Sequence, residues 1–193
     1  MIKNEVYPDI RVVRTKKSLK KSLLTLLKEK RFKDITITDI VTHANVNRGS
    51  FYNHYQDKEE LLNEIFDDVV SDMVQAYRKP YVENKPFIVN ELSPSEVKTF
   101  DHVKKNEEFY TTILKSDVFY SFQSRLQKVI KEITKSDLLV YSPKINSDLC
   151  ASYLAYAIVG IIFNWVKSGF QNDTDYISEQ VFGINENRSK AGI

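Results

Sequence analysis

Between Thr36 and Tyr55 two short apolar runs are separated only by Ala44-Asn45-Val46-Asn47. Four residues leave room for little but a tight reversal between two short helices. No other stretch constrains the fold as much. Thr36, with Asp39 three residues on, reads as a capping box that opens a helix through Ile37-Thr38-Asp39-Ile40-Val41. Asn45 is among the few non-glycine residues that accept the left-handed backbone of a tight helix exit. Asn47 is a good N-cap for the next helix, which is expected to run from Arg48 to Tyr55. Gln56-Asp57 closes that helix, and Asp57 with Glu60 sets up a second capping box. Ile40, Val41 and Ala44 are expected to face inward, Val46 to plug the turn, and Phe51 with Tyr55 to bury the inner side of the second helix.

The flanks agree with this. Val12, Leu19, Leu23, Leu26 and Leu27 recur at helical spacing and predict an amphipathic helix over roughly 10–29. Leu62, Ile65, Phe66, Val69, Met73 and Tyr77 trace one face of a longer helix over about 58–78. Two short helices between these flanks make a helix-turn-helix. The chain of 193 residues holds only 5 Gly and 5 Pro, is 42% hydrophobic and 28% charged, and so reads as an all-α globular protein. One cysteine, Cys150, allows no internal disulfide and fits a reducing cytoplasm, and the start carries no apolar signal core.

The net charge of +2 conceals an asymmetry: residues 1–60 carry +5 and residues 61–193 carry −3. Arg11 to Lys33 holds ten basic residues against Glu29 alone. A solvated helix face explains such a run in isolation; beside a helix-turn-helix it suits a polyanion.

The exposed residues of the second short helix match a DNA major groove, which admits one α-helix and presents base-edge donors and acceptors. Arg48 can donate two hydrogen bonds to guanine, Asn53 can pair with adenine, and Ser50 can bond either way. Gly49 permits close approach of the backbone. Tyr52 and His54 can hydrogen-bond phosphate oxygens, and the helix starts at Thr36 and at Asp57-Lys58 offer N–H groups to phosphates.

At these residues the chain resembles the TetR family of bacterial transcriptional regulators. Ile35-Thr36-Ile37-Thr38-Asp39-Ile40-Val41 looks like the family's lead into its second helix. Val46-Asn47-Arg48-Gly49-Ser50-Phe51-Tyr52-Asn53-His54-Tyr55-Gln56-Asp57-Lys58-Glu59-Glu60-Leu61-Leu62 looks like its recognition helix and the start of its fourth helix. The similarity covers roughly residues 11–66, about a third of the chain. It departs at Asn45, where the family usually has glycine, and at Asn47, where serine or threonine commonly caps. The resemblance implies a homodimer, a DNA-binding domain over 1–57, a connecting helix over 58–80, and an effector-binding and dimerisation domain over 81–193. Carried residue by residue, the DNA contacts fall on Thr36, Thr38, Asn47, Arg48, Gly49, Ser50, Tyr52, Asn53, His54 and Lys58.

Beyond Pro80 and Pro86, taken as the domain boundary, the pattern is helical but less legible. Ser93-Pro94-Ser95-Glu96 reads as a helix start. Helices are expected near 94–105, 107–116, 117–136 and 175–182, with Pro143 ending the third of them. From Leu149 to Val166 only Ser152 and Asn164 are polar. That helix resembles the one that regulators of this kind, particularly in Gram-positive bacteria, use to dimerise, with Tyr153, Tyr156, Ala157, Gly160, Phe163, Asn164 and Lys167 as candidate interface residues. A membrane span and a plain monomer core are competing readings; the run is short and interrupted for a span. A pocket for a hydrophobic effector is expected among His102, Phe109, Tyr110, Tyr120, Phe122 and Trp165, although aromatic residues at helical spacing are commonly core and His102 alone would suit a surface.

No His-x-x-x-His, Cys-x-x-Cys, Gly-x-Ser-x-Gly or glycine-rich phosphate loop occurs, so neither an enzyme, a metal nor a cofactor is expected. The expected function is a cytoplasmic transcriptional repressor that binds a palindromic operator in double-stranded DNA as a homodimer and is released by a small molecule, with no membrane partner. The alternative is a relative that has lost operator binding and acts by contacting another regulator.

Overall fold

The computed structural model describes residues 10–78, 98–138 and 146–190. Among these the chain is helical throughout, in the order α1 (Ile10–Leu26), α2 (Ile37–Ala44), α3 (Arg48–Tyr52), α4 (Lys58–Arg78), α5 (Thr99–Lys105), α6 (Glu107–Leu114), α7 (Phe119–Leu138), α8 (Ser147–Lys167) and α9 (Thr174–Lys190). A single 3-10 turn, Phe32–Asp34, lies between α1 and α2. The expected boundary loop at Pro80–Pro86, the helix start at Ser93 to Glu96 and the stop at Pro143 lie outside the described residues.

The chain forms two compact units. The first runs to Asp67 and includes Lys115–Asp117; the second comprises Asp68–Leu114 and the chain from Val118 onward. The division falls inside α4, whose residues Lys58 to Asp67 belong to the first unit and the rest to the second.

The first unit is built on the apolar face of α1. Leu19 and Leu23 are fully buried, together with Ile35, Ile40, Phe51 and Leu61. Burying side chains of this size contributes about 1.5–3 kcal/mol each, which is what holds helices too short to persist alone. Buried Ser22 donates its hydroxyl to the Ile40 carbonyl at 2.8 Å, and Ser18 donates to the Ala44 carbonyl at 3.1 Å, so α1 fixes α2 by polar as well as apolar contacts. Lys16 and Lys20 of α1 converge on Glu64 of α4 at 3.0 and 2.7 Å. Burial alone would raise the Glu64 carboxyl, but Lys20 and Lys16 outweigh it and the net shift is downward.

In the second unit the strongest packing is between α7 and α8, and α6 also packs on α8. Its core is aromatic. Phe122 packs edge-on against Phe109 at 5.0 Å between ring centroids and Tyr110 at 5.8 Å, and Phe163 packs edge-on against Phe119 at 4.8 Å. Ala151, Ala155, Val159, Ile162, Phe163, Trp165 and Val166 of α8 are buried. Among the described residues α8 is the one helix long and apolar enough to cross a membrane, yet this inward face is covered by the unit's own helices. α8 ends at Ser168, and Gly169 then takes φ 74°, a left-handed exit that glycine adopts without cost.

Several ends differ from expectation. α1 stops at Leu26 rather than near 29, although backbone bonds such as Lys30 N–H to the Leu26 carbonyl carry a turn to Lys30. The helices expected over 107–116 and 117–136 run 107–114 and 119–138. The last helix continues past Phe182 to Lys190, because an isolated glycine such as Gly183 weakens a helix by only about 1 kcal/mol.

Candidate nucleic-acid interface

The capping box at α2 is complete. The Thr36 hydroxyl accepts from the Asp39 N–H at 3.1 Å, and the Asp39 carboxylate accepts from the Thr36 N–H at 2.8 Å. Lys30 adds an ion pair to Asp39 at 2.8 Å. The Asp39 carboxyl is drawn down from 3.8 to about 2, first by Lys30, then by the Thr36 amide and hydroxyl. A depressed carboxyl adds stability that is present above about pH 4 and lost as the pH falls toward 2. Acid unfolding of Asp39→Asn is therefore expected to show a shallower loss of stability between pH 4 and pH 2 than the parent protein. Equal pH dependence in the two would contradict this.

Asn45 takes φ 54° and ψ 46°, so asparagine supplies the left-handed exit between α2 and α3. The Asn47 side chain accepts from the Ser50 N–H at 2.6 Å and starts α3. A Cβ at Gly49 would lie 3.3 Å from the Asn47 side-chain oxygen, so the missing side chain also gives this cap room. α3 is shorter than expected, ending at Tyr52 instead of Tyr55. Asn53 is its C-cap and His54 lies in the turn that follows, where the backbone must redirect before α4 begins at Lys58. At that start the Asp57 carboxylate accepts from the Glu60 N–H at 2.7 Å, while Glu60 reaches back to the Gln56 N–H at 2.6 Å, one residue earlier than in a reciprocal box.

α3 and the turn that follows it separate a buried face from an exposed one. Phe51 and Tyr55 are buried at 0% and 1%, with centroids 5.7 Å apart. Arg48, Gly49, Tyr52 and Asn53 are exposed, and Ser50 and His54 are half-buried. The Arg48 guanidinium donates to the Tyr52 hydroxyl at 3.1 Å and stands 5.6 Å from its ring centroid. This contact holds a cation and an aromatic hydroxyl together on the outer face of α3. Thr36, Thr38 and Asn47 are exposed as well.

Lys58 is placed differently from the other candidates. Its ammonium donates to the carbonyls of Phe32 at 2.9 Å, Lys33 at 3.3 Å and Ile35 at 2.8 Å, and lies 4.7 Å from the Phe32 ring centroid. Its charge is thus engaged by the turn between α1 and α2. The same turn is held by Asp117, whose carboxylate accepts from the Phe32 N–H at 2.7 Å. The basic run is also partly used internally: Lys16 and Lys20 pair with Glu64, Lys30 with Asp39 and Arg31 with Asp34. Arg14, Lys17 and Lys21, which sequence alone does not distinguish from the rest of the basic run, are exposed on α1.

In the second unit the candidate residues divide between core and surface. His102, Phe109, Tyr110, Phe122 and Trp165 are buried. Tyr120 is 76% exposed, because Phe122 and Leu126 take the inward face of α7. The candidate interface residues Tyr153, Tyr156, Gly160, Asn164 and Lys167 lie exposed along α8, joined by Leu149, and Ala157 is half-buried. Phe163 is instead buried among Tyr110, Phe119 and Phe122, since its four-residue offset from Val159 puts it on the inward face. Burial lowers the His102 pKa, partly offset by Asp72. Among the described residues, neither the His102 Nε2 nor the Tyr110 hydroxyl has a hydrogen-bond partner. A buried polar group left so costs about 1–3 kcal/mol. Also among the described residues, no cluster of three or more His, Cys, Asp or Glu is placed to hold a metal ion.

Residues 22–65 match the family described as bacterial regulatory proteins, tetR family, and residues 90–187 match the family described as transcriptional regulator C-terminal region. The HTH-type regulator YxbF of Bacillus subtilis is 23% identical over 171 residues, covering 86% of this chain but 43% of the relative, so the chain spans less than half of that protein. The dhaKLM operon transcriptional activator DhaS of Lactococcus lactis is 27% identical over 176 residues, covering 88% of each chain. Among solved structures, a TetR-family regulator from Syntrophomonas wolfei matches with a TM-score of 0.69 at 17% identity, covering 90% of this chain and 94% of that one, a likeness of fold. With its helix-turn-helix and its C-terminal helical region both matched, the chain belongs to the TetR family of bacterial transcriptional regulators.

Proposed function

We propose that this regulator binds a palindromic operator in double-stranded DNA as a homodimer, acts there as a repressor in the cytoplasm, and is released by a small, hydrophobic effector. The observation that carries the reading is the outer face of α3. Arg48, Tyr52 and Asn53 stand exposed on a helix anchored from beneath by buried Phe51. Arg48 and Asn53 supply the bidentate donors and acceptors that discriminate bases, and Ser50 an adjustable one. Tyr52, His54, Thr36, Thr38 and Asn47 suit phosphate oxygens, which fix register without reading sequence. Lys58, with its charge engaged by three carbonyls, supports the interface by bracing the α1–α2 turn.

Dimerisation is assigned to the outward stripe of α8, where Leu149, Tyr153 and Tyr156 are large, apolar and exposed. A small residue, Gly160, continues the stripe with open space over its Cα. Operator binding requires two copies of α3 about 34–36 Å apart, the spacing of successive major grooves. An effector held among the helices of the second unit would act on α4 as a lever and change that spacing. A few kcal/mol of preference between the two states suffices for release.

The test is binding of the purified protein to DNA from upstream of its own gene, followed by fluorescence anisotropy. Affinity is expected to fall about 10³-fold or more between 50 and 200 mM salt if six or more phosphates are contacted. Indifference to all DNA at low salt with no ligand present would favour action through another regulator.

A further inference from the structure

We propose that His102 and Tyr110 are the polar contacts of the effector site and that they select a neutral ligand bearing a carbonyl oxygen on an apolar body. This rests on the effector reading above and gives it a chemical class. The His102 and Tyr110 rings meet edge-on, 6.2 Å apart and 87° between planes, where α5 passes into α6. His102 is 7% exposed and Tyr110 0%, and among the described residues the Nε2 and the phenolic hydroxyl both lack partners. Buried polar groups in folded proteins are nearly always satisfied, so two neighbouring exceptions call for a group that satisfies both.

The chemistry of that group follows from the surroundings. The Asn106 amide nitrogen lies 3.4 Å from His102 Nδ1 while donating to the His102 carbonyl at 2.9 Å. An amide N–H facing Nδ1 makes that nitrogen the acceptor and leaves the proton on Nε2, which is then a donor. The Tyr110 hydroxyl is a second donor. Burial keeps it protonated and keeps the imidazole neutral. Two neutral donors match the two lone pairs of one carbonyl oxygen. A carboxylate would instead bring a charge among Phe109, Phe122 and Phe163, where Asp72 opposes it and Lys105 is the one cation that acts on His102 among the described residues. Those rings, which pack around Tyr110, suit an apolar body.

The experiment uses the full-length protein with straight-chain 2-alkanones of six to twelve carbons as probes, the matching alkanoates as charged controls and butylbenzene as an apolar control. Binding is read by calorimetry and thermal melting, without DNA. At least one 2-alkanone is expected to raise the melting temperature and to bind more tightly than its alkanoate. Tyr110→Phe and His102→Leu should each weaken that ketone about tenfold or more and leave butylbenzene unchanged. Without probe, Tyr110→Phe should melt no lower than the parent, since it removes an unsatisfied hydroxyl. Three results would each overturn the proposal: no 2-alkanone binding, equal binding to parent and Tyr110→Phe, or a probe-free Tyr110→Phe that melts several degrees lower. Operator affinity measured alongside separates the two claims. A ketone that binds through Tyr110 but leaves DNA affinity unchanged sustains the site and rejects effector release. DNA release that survives both substitutions does the reverse.

Discussion

Replacing Phe51 with alanine is expected to lower the free energy of unfolding by about 3–5 kcal/mol and to abolish operator binding with it. Phe51 is fully buried and touches Tyr52 and Tyr55 through ring contacts of 5.6 and 5.7 Å between centroids. α3 has five residues, far below the length at which a helix persists in water by itself. Its Asn47 cap orients the first turn, but the side chain that attaches the helix to the first unit is Phe51. Truncation leaves a ring-sized hole under the recognition face, and the surrounding side chains can close it only partly. Native domains have about 5–15 kcal/mol in hand, so the loss is a large share of the total. Denaturant melts of parent and variant give the difference directly. A change below about 1 kcal/mol would mean that α3 is held by something other than this anchor.

Arg48→Ala addresses the same helix from its other side. Arg48 is exposed and its side chain rests on Tyr52, itself exposed, so its removal should leave the melting temperature within a degree or two. A bidentate contact to guanine is worth about 1–3 kcal/mol, so operator affinity should fall roughly five- to 150-fold at fixed salt. Tyr52→Ala should produce a smaller loss, because the contact proposed for it is to a phosphate and its hydroxyl orients the guanidinium without reading a base. Anisotropy titrations with one operator fragment compare all three proteins. An Arg48→Ala protein that binds as tightly as the parent would remove Arg48 from the base-reading group.

The first unit was readable from sequence because its signals are local. The Thr36–Asp39 box, the left-handed Asn45 and the Asn47 cap each depend on residues within four positions of one another, and each forms as expected. α3 ends short of the expected Tyr55 for a physical reason: Tyr55 has the right spacing from Phe51 and is buried, but the backbone leaves the helix at Asn53 to reach α4. Long-range partners left no local trace. Lys58 reads in sequence as a phosphate ligand, and the fold also brings its ammonium onto three carbonyls 23 to 26 residues away. Likewise the run of basic residues gave no sign that Lys16 and Lys20 would converge on Glu64. In the second unit, the burial pattern of α8 could not be deduced from a helix apolar nearly all round. Phe163 and Tyr156 look alike in sequence, yet one is 6% exposed and the other 64%.

Selection of binding sites from random double-stranded DNA, run in parallel with the parent protein and Arg48→Ala, interrogates the recognition face itself. The parent should enrich a two-fold symmetric sequence whose half-sites are centred one helical turn apart, with one invariant guanine in each. The variant should recover the same half-sites with that guanine relaxed and the other positions kept. Enrichment of no sequence by the parent, or an unchanged guanine preference in the variant, would show that α3 does not read base pairs through Arg48.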